Sequence, residues 1–379
     1  MKFDVAIVGA GMAGASLAAQ LAPHMRVLLL EAEDAPGYHA TGRSAAFWVE
    51  TYGGPLVQPL TSASGPFLAA PPADFSDQGF LRLRGALMIG EAEGAGQADA
   101  FLARFSASGV ALLRCDAPAL RQRLPGLLPH WTEGVWEATT ADIDVAALHM
   151  AYLRAARRAG GSLLTRHPVS QLCRTQSGWD ILAGGAKFSA AKLVNAAGAW
   201  ASHIAHMAKA APIQIRPLRR TMVQLRLAQP ISPDLPLIVD LAERFYFKPE
   251  GADRIWLSPH DETPSLPCDA AADEADVALA LDRFSQVVNW PVAAVERRWA
   301  GLRSFTPDRA PVFGADQDCP GFYWCAGQGG AGIQTAPAIS SLLAAEILGV
   351  APLAPYDRIA HAAYAPARFA TSVTNGGNG

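Results

Sequence analysis

Near the N-terminus the apolar positions come in two unbroken runs rather than in alternation. Phe3 to Val8 (FDVAIV) leads into GAGMAG and a small-residue stretch that reads as helix to about Ala22; Arg26 to Glu31 (RVLLLE) follows and ends on a carboxylate. Continuous apolar runs mark parallel strands covered on both faces, so this pattern predicts a βαβ unit and a doubly wound sheet. Past Glu31 the alternation lapses: Pro36, Gly37 and Gly42 predict a loop, and a helix is expected from Ser44. Strand-like segments are expected around residues 81–89 (LRLRGALMI). A helix is expected over Val145–Arg158, where Leu148, Tyr152 and Ala155 recur at helical spacing and Asp144 can cap the start. Short strands follow at 162–164, 169–173, 179–182 with 187–189, and 192–197. Longer alternating strands (221–227, 244–248, 255–258) and a helix over 273–287 fill the stretch from about 217 to 299. The chain closes with a strand at 323–326, a glycine loop and a helix from about 333 to 348; 371–379 (TSVTNGGNG) read as a flexible tail.

Length and charge narrow the classes. At 379 residues the chain has room for two or three structural units. Its 31 basic and 34 acidic residues leave a net charge of −3, and only 17% of positions are charged, so no basic surface exists to meet a phosphate backbone. Nucleic acid is excluded as a partner on this ground. The five cysteines are widely spaced and contain no CxxC pair, which argues against a disulfide framework or a metal site and for a reducing compartment. The uncharged residues 5–23 could be mistaken for a signal or a membrane span, but three glycines, Ser16 and Gln20 interrupt them. Asp4 also stands where a signal would be basic.

Gly9, Gly11 and Gly14 form GxGxxG directly after a strand and opening a helix. Gly9 permits the tight turn, Gly11 lets backbone approach a pyrophosphate, and Gly14 lets helix and strand pack; the helix N-terminus offers donors to the phosphates. Glu31, ending the second strand, is placed to accept hydrogen bonds from an adenosine ribose and argues against a 2′-phosphate. The expected assembly is a discontinuous dinucleotide domain (1–80, 145–215, 300–365) with a β-rich α+β substrate domain inserted twice (81–144, 216–299) and a tail (366–379). Substrate would lie between the two domains.

Four segments carry a resemblance over nearly the whole chain: PGYHATGRSAAFW (36–48), VNAAGAW (194–200), WAGLRSFTPD (299–308) and CAGQGGAGIQTAPA (325–338). Together they resemble the D-amino acid oxidase and dehydrogenase (DAO) superfamily of flavoproteins. Within it the chain looks most like the bacterial D-arginine dehydrogenase group and glycine oxidase-like flavoproteins, sharing GYHxTGRSAA, ADID (141–144), the Phe245-Tyr246 pair and GIQT. The resemblance implies a Rossmann-like FAD domain of the glutathione-reductase type and noncovalent FAD, since Gly301 stands where sarcosine oxidases carry a tethering cysteine. It also implies cofactor contacts from Ala13, Ala32, Ala40, Thr41, Gly42, Arg43, Ser44, Ala45 and Ala46, from Val169 on the adenine side, and from Ala197 and Gly198. Gly329, Gly330, Ala331, Gly332, Ile333 and Gln334 would lie near the flavin pyrimidine, where a helix N-terminus stabilises negative charge.

At the substrate end, a carboxylate calls for arginine. Arg303 lies among Trp299, Ala300, Leu302 and Phe305, the setting of a buried cation that needs an anion. Arg219 and Arg220 point to opposite faces of a strand, so one of them reaches the site; the resemblance selects Arg220. It also implies that Tyr246 and Tyr52 close over the substrate or bond its carboxylate, and that Gln334 and the Gly330 carbonyl meet its amine. Phe47 replaces the group's histidine and Ala86 its pocket glutamate, which leaves a buried cationic side chain unpaired unless Glu50 or Asp240 restores an acid. The expectation is oxidative deamination of a neutral or apolar D-amino acid by hydride transfer to FAD, giving an imine that hydrolyses to a 2-oxo acid and ammonia. Alternatives are a glycine- or sarcosine-type amine oxidase forming peroxide and a non-catalytic flavin-fold binding protein. The acceptor would be a quinone or oxygen, and the protein a cytoplasmic monomer or homodimer, peripheral to the inner membrane if quinone-coupled. No motif supports His39, His149, His203 or His260 as a general base.

Overall fold

The computed structural model describes residues 2–92 and 96–370; the expected tail at 371–379 lies outside the described residues. Strand β1 (Lys2–Val8), helix α1 (Met12–Leu21) and strand β2 (Val27–Leu30) form the predicted βαβ unit. β1 is central because it is apolar on both faces: parallel β2 flanks one side and the parallel strand Ala186–Asn195 the other. Ser162–Leu164 extends the sheet beyond β2. Beyond Ala186–Asn195 it continues into an antiparallel hairpin (Val169–Thr175, Gly178–Ala183), with Phe322–Ala326 pairing in parallel. Alternate residues of β1 feed two cores. Val5 and Ile7 meet Leu17 and Leu21 of α1 and Ile339 and Leu343 of the last helix, while Ala6 and Val8 meet Ile204, Phe322 and Trp324. Removing one of these fully buried side chains, as in Leu17→Ala, costs about 2–5 kcal/mol.

A second, 10-stranded sheet carries the β-rich half. Its longest strands, Arg216–Leu227 and Val292–Phe305, pair antiparallel along their length and are followed in space by Arg254–Ser258, Tyr246–Pro249, Leu237–Asp240, Ala86–Glu91, Trp131–Glu137 and Leu112–Asp116. One face packs on helices Ala117–Arg123 and Glu274–Ser285. The other face, with Met88, Met222, Leu237 and Tyr246, packs on Ala45 and Val49 of the N-terminal segment. This contact between the two halves sets the walls of the candidate site.

Several expectations need correction. No helix begins at Ser44: Ala46 has φ +30°, outside the right-handed helical region, and Ser44 Oγ accepts its N–H. Phe47–Trp48 form a short strand instead, and the helix starts at Gln58 (Gln58–Ala69). The strand-like segments expected at 81–89 are present, and they belong to different sheets. Leu81–Leu83 joins Phe47–Trp48 and Ala141–Ile143 in a three-stranded sheet, while Ala86–Glu91 joins the large one. The expected boundary at 300 cuts through Val292–Phe305, whose pairing with Arg216–Leu227 runs without a register shift from Arg297 to Phe305. Residues 366–370 are no loose tail: Pro366 is buried, and the Arg368 guanidinium bonds Asp308 and the Ala310 carbonyl. Asp144 does cap its helix, accepting the Ala147 N–H at 2.9 Å.

Candidate active site

Two connected cavities lie at this contact. The first, about 440 Å³, is a groove along the glycine turn. Gly9 has φ +101°, and a Cβ there would stand 2.5 Å from the Ala196 carbonyl oxygen; one on Gly14 would stand 1.9 Å from that of Gly9. Only glycines allow this turn to close. Glu31 is oriented by the backbone, its Oε2 accepting the Ala10 N–H at 2.9 Å and its Oε1 the Glu33 N–H at 3.1 Å, and it faces the groove with lone pairs to spare. Thr41 Oγ accepts the Met12 N–H at 3.0 Å, tying the 36–44 loop to the start of α1.

Of the residues assigned to the cofactor by sequence, Gly9, Gly11, Ala13, Glu31, Ala32, Ala40, Thr41, Arg43, Ser44, Val169, Ala197, Gly198, Gly329, Gly330, Gly332 and Ile333 line this groove. Ala45, Ala46, Ala331 and Gln334 line the second cavity instead. Gly14 and Gly42 line neither: they close turns, the Gly42 N–H donating to Gly37 O at 2.8 Å. The Arg43 charge is not offered to a ligand, because its guanidinium pairs with Asp269 and donates to the carbonyls of Ala270 and Ala300. His149, for which the sequence held no signal, donates from Nε2 to the Ala10 carbonyl at 2.9 Å; burial lowers its pKa and keeps it a neutral brace for the glycine turn.

The second cavity, about 350 Å³, meets the groove at Ser44, Arg303, Gln328 and Gly330. Arg303 and Arg220 sit on the facing strands Val292–Phe305 and Arg216–Leu227, in register positions that put both on one face of the sheet. Arg219 points to the opposite face and pairs with Asp276 at 2.8 Å. Arg303 has no carboxylate within 4 Å among the described residues; Nη1 donates to Tyr52 Oη at 2.9 Å and Nη2 to Tyr246 Oη at 3.1 Å. Burial disfavours its charge, but Tyr246 and Tyr52 more than offset this and raise its pKa. Burial alone would raise the Tyr246 pKa, yet Arg303 and Arg220 pull it below that of an ordinary phenol.

Arg220 is only 2% exposed. Nε donates to the Asp261 carbonyl at 2.7 Å and Nη2 to Glu262 Oε1 at 3.1 Å, but Nη1 is buried without a partner among the described residues. Burial and the neighbouring Arg303 both depress the Arg220 pKa. Glu262 also pairs with Arg309, so two guanidinium groups share one carboxylate, while the Asp261 carboxyl accepts from the Thr221 N–H and hydroxyl and has its pKa raised by burial. The balance is positive, and an anion belongs here. His260, edge-on to Tyr246, is pushed down to about 3, first by burial and then by Arg220 and Arg303, so it adds no charge.

Around the clamp the cavity is apolar, with Phe47, Met88, Leu237, Val239 and Tyr246 on its walls. Asp240 reaches the lining but is held by Arg244, and Glu50 accepts from Ser62 and Thr139, so neither replaces the acid absent at Ala86. Gln334, expected to touch a substrate amine, is committed elsewhere: Oε1 accepts the Val49 N–H at 3.0 Å and Nε2 donates to Thr61 Oγ1 at 3.0 Å. Its side chain braces the loop before Tyr52. Among the described residues no cluster of His, Cys, Asp or Glu is arranged to hold a metal, and no helix is long and apolar enough to cross a membrane.

The groove fits FAD by its own geometry. Its glycine turn has no room for side chains at Gly9 and Gly14, the helix N-cap at Gly11 carries no side-chain cap of its own, and the oriented Glu31 carboxylate follows the second strand and lines the same groove. Comparison with known proteins agrees. A curated relative, the tRNA 5-methylaminomethyl-2-thiouridine biosynthesis bifunctional protein MnmC of Pseudomonas putida, is 28% identical over 97% of this chain, which spans 59% of that protein's length. Glycine oxidase from Geobacillus kaustophilus superposes with a TM-score of 0.81 at 22% identity, covering 95% of this chain and 99% of that one. L-proline dehydrogenase from P. horikoshii gives 0.81 at 20% identity, covering 94% and 96%. The model of the DAO family, FAD dependent oxidoreductases, matches residues 4–346, and the chain belongs to that family.

Proposed function

We propose that this protein oxidises the C–N bond of a small α-amino acid, preferably a D-amino acid with a neutral or apolar side chain, and holds FAD noncovalently. The observation that carries this reading is Arg303, a guanidinium facing the cavity with two tyrosine hydroxyls but no acid beside it. The unpartnered Nη1 of Arg220 supports it from the same face of the sheet. A substrate carboxylate bonded by Arg303, Arg220, Tyr52 and Tyr246 would fix Cα at the junction of the two cavities, and positioning of this kind lowers the barrier with no further group in play. Bound FAD would supply the two-electron acceptor for the hydride leaving Cα of the neutral amine, whose ammonium proton has gone to solvent and whose nitrogen lone pair closes the C=N bond. The imine released from the site adds water and loses ammonia, giving the 2-oxo acid.

Side-chain preference follows from the far wall. Phe47, Met88, Leu237 and Val239 make that wall apolar, and the Lys248 ammonium, 5.1 Å from the Phe47 ring centroid, is already paired with Asp142 at 3.0 Å. Lysine or arginine there would bury its charge with no free carboxylate to pair with. A glycine- or sarcosine-type oxidase is the second reading, favoured by similarity to glycine oxidase over almost all of that chain. Anaerobic bleaching of the flavin by a panel of D- and L-amino acids, N-methyl amines and 2-hydroxy acids tests both. Bleaching by cationic D-amino acids in preference to neutral ones would sink the pocket assignment, and peroxide formed in air in proportion to imine would select the oxidase. Absence of bleaching by every amine would leave a binding protein.

A further inference from the structure

Glu137 ends the strand Trp131–Glu137 with no solvent exposure and no basic partner among the described residues. In the ladder it faces Ala86, so it shares the sheet face from which the pocket acid is missing, but it is not on the cavity wall. Its two oxygens are spent on consecutive residues of one loop: Oε1 accepts the Glu50 N–H at 2.7 Å and Oε2 the Thr51 hydroxyl at 2.6 Å. The next residue is Tyr52, whose Oη accepts from Arg303 and lies so close to Gly330 that a Cβ there would stand 2.0 Å from it. Burial raises the Glu137 pKa, with the nearby Glu50 adding to the effect, while the bonds from Thr51 and Glu50 oppose it. Carboxylate burial of this kind is unfavourable next to a well-packed apolar substitute, and its recognised use is to hold one arrangement among several.

We infer that Glu137 is a positioning residue for the carboxylate clamp: it pins Glu50 and Thr51 so that the Tyr52 hydroxyl meets Arg303 and completes the receptor for the substrate's carboxylate. Gln334, holding the Val49 N–H, fixes the other end of the same turn. The inference rests on the clamp reading above, and the test separates the two. Holoenzyme variants are titrated with benzoate, a carboxylate that cannot be oxidised, and binding is read from the change in flavin absorption. Arg303→Met is the control for the clamp. Glu137→Gln keeps one acceptor and is expected to raise the benzoate Kd about 5- to 10-fold, the loss of about one hydrogen bond's worth of placement. In a Tyr52→Phe background the same substitution is expected to leave Kd within about twofold, because the hydroxyl it positions is already gone. Thr51→Val removes one of the two bonds, is expected to give a smaller rise, and carries the same cycle if Glu137→Gln yields no holoenzyme. Unchanged affinity in Glu137→Gln, or an equal loss with and without the Tyr52 hydroxyl, overturns the inference while the clamp stands. Wild-type affinity in Arg303→Met overturns the clamp and the inference with it.

Discussion

The groove and the cavity beside it meet at Arg303 and Gly330, yet they are built by different means. The groove is mainly backbone: a turn closed by Gly9 and Gly14, a helix N-cap, and one carboxylate oriented by two N–H groups. The cavity is mainly side chains, drawn from the 44–57 segment and from strands at 86–91, 237–240, 246–249 and 292–305, with the Arg303 guanidinium bonded by two tyrosine hydroxyls. A backbone site fails when an atom is added, because nothing nearby can yield. A side-chain site fails when a charge or hydroxyl is removed, because its partners are left unpaired.

That contrast can be broken at either end. The largest effect is expected from Gly14→Val, which forces a side chain into the Gly9 carbonyl. Flavin absorbance relative to protein should fall to background, and a yellow, soluble variant would refute the steric account of the turn. Next comes Arg303→Met, which should leave the flavin content unchanged while lowering kcat/KM about 10²- to 10³-fold, as expected for loss of about 3–4 kcal/mol of charged contact.

Tyr246→Phe is expected to weaken benzoate binding about 5- to 10-fold near neutrality. It also tests the sign of a pH effect. Because the Tyr246 pKa lies below that of an ordinary phenol, the wild-type hydroxyl ionises early as pH rises, and the phenolate neutralises Arg303 and repels a carboxylate. Affinity for benzoate should therefore drop on the alkaline side in the wild type and drop less in Tyr246→Phe; parallel curves would exclude Tyr246 as the titrating group. The smallest effect is expected from Glu31→Gln, which loses the charge and keeps one acceptor for the Ala10 and Glu33 N–H groups. A few-fold rise in FAD Kd with unchanged benzoate affinity would show that the two regions act independently.

The two regions also differ in how far they could be read before the fold was known. GxGxxG with Glu31 is legible because its constraints are local: Gly9 and Gly14 are five positions apart and touch each other whatever the rest does. The helix expected at Ser44 failed because Ala46 takes φ +30° where its segment packs between two sheets, a tertiary demand that overrides propensity. Alternation showed that Arg219 and Arg220 face opposite ways but not which way is inward; Asp276, 57 residues on, claims Arg219. Arg43 and Gln334 were assigned to ligands by their segments, whereas their partners, Asp269, Val49 and Thr61, come from distant parts of the chain.

By itself, then, the sequence determined the βαβ unit, the cofactor turn and the family, because backbone sterics and strand periodicity act over a few residues. Only the tertiary structure decided which arginine faces the cavity, that Asp240 is already neutralised by Arg244, and that Glu137 reaches the loop before Tyr52. Those are facts about charge and hydrogen-bond pairing, and a pair is defined by distance in space, which separation along the chain does not encode.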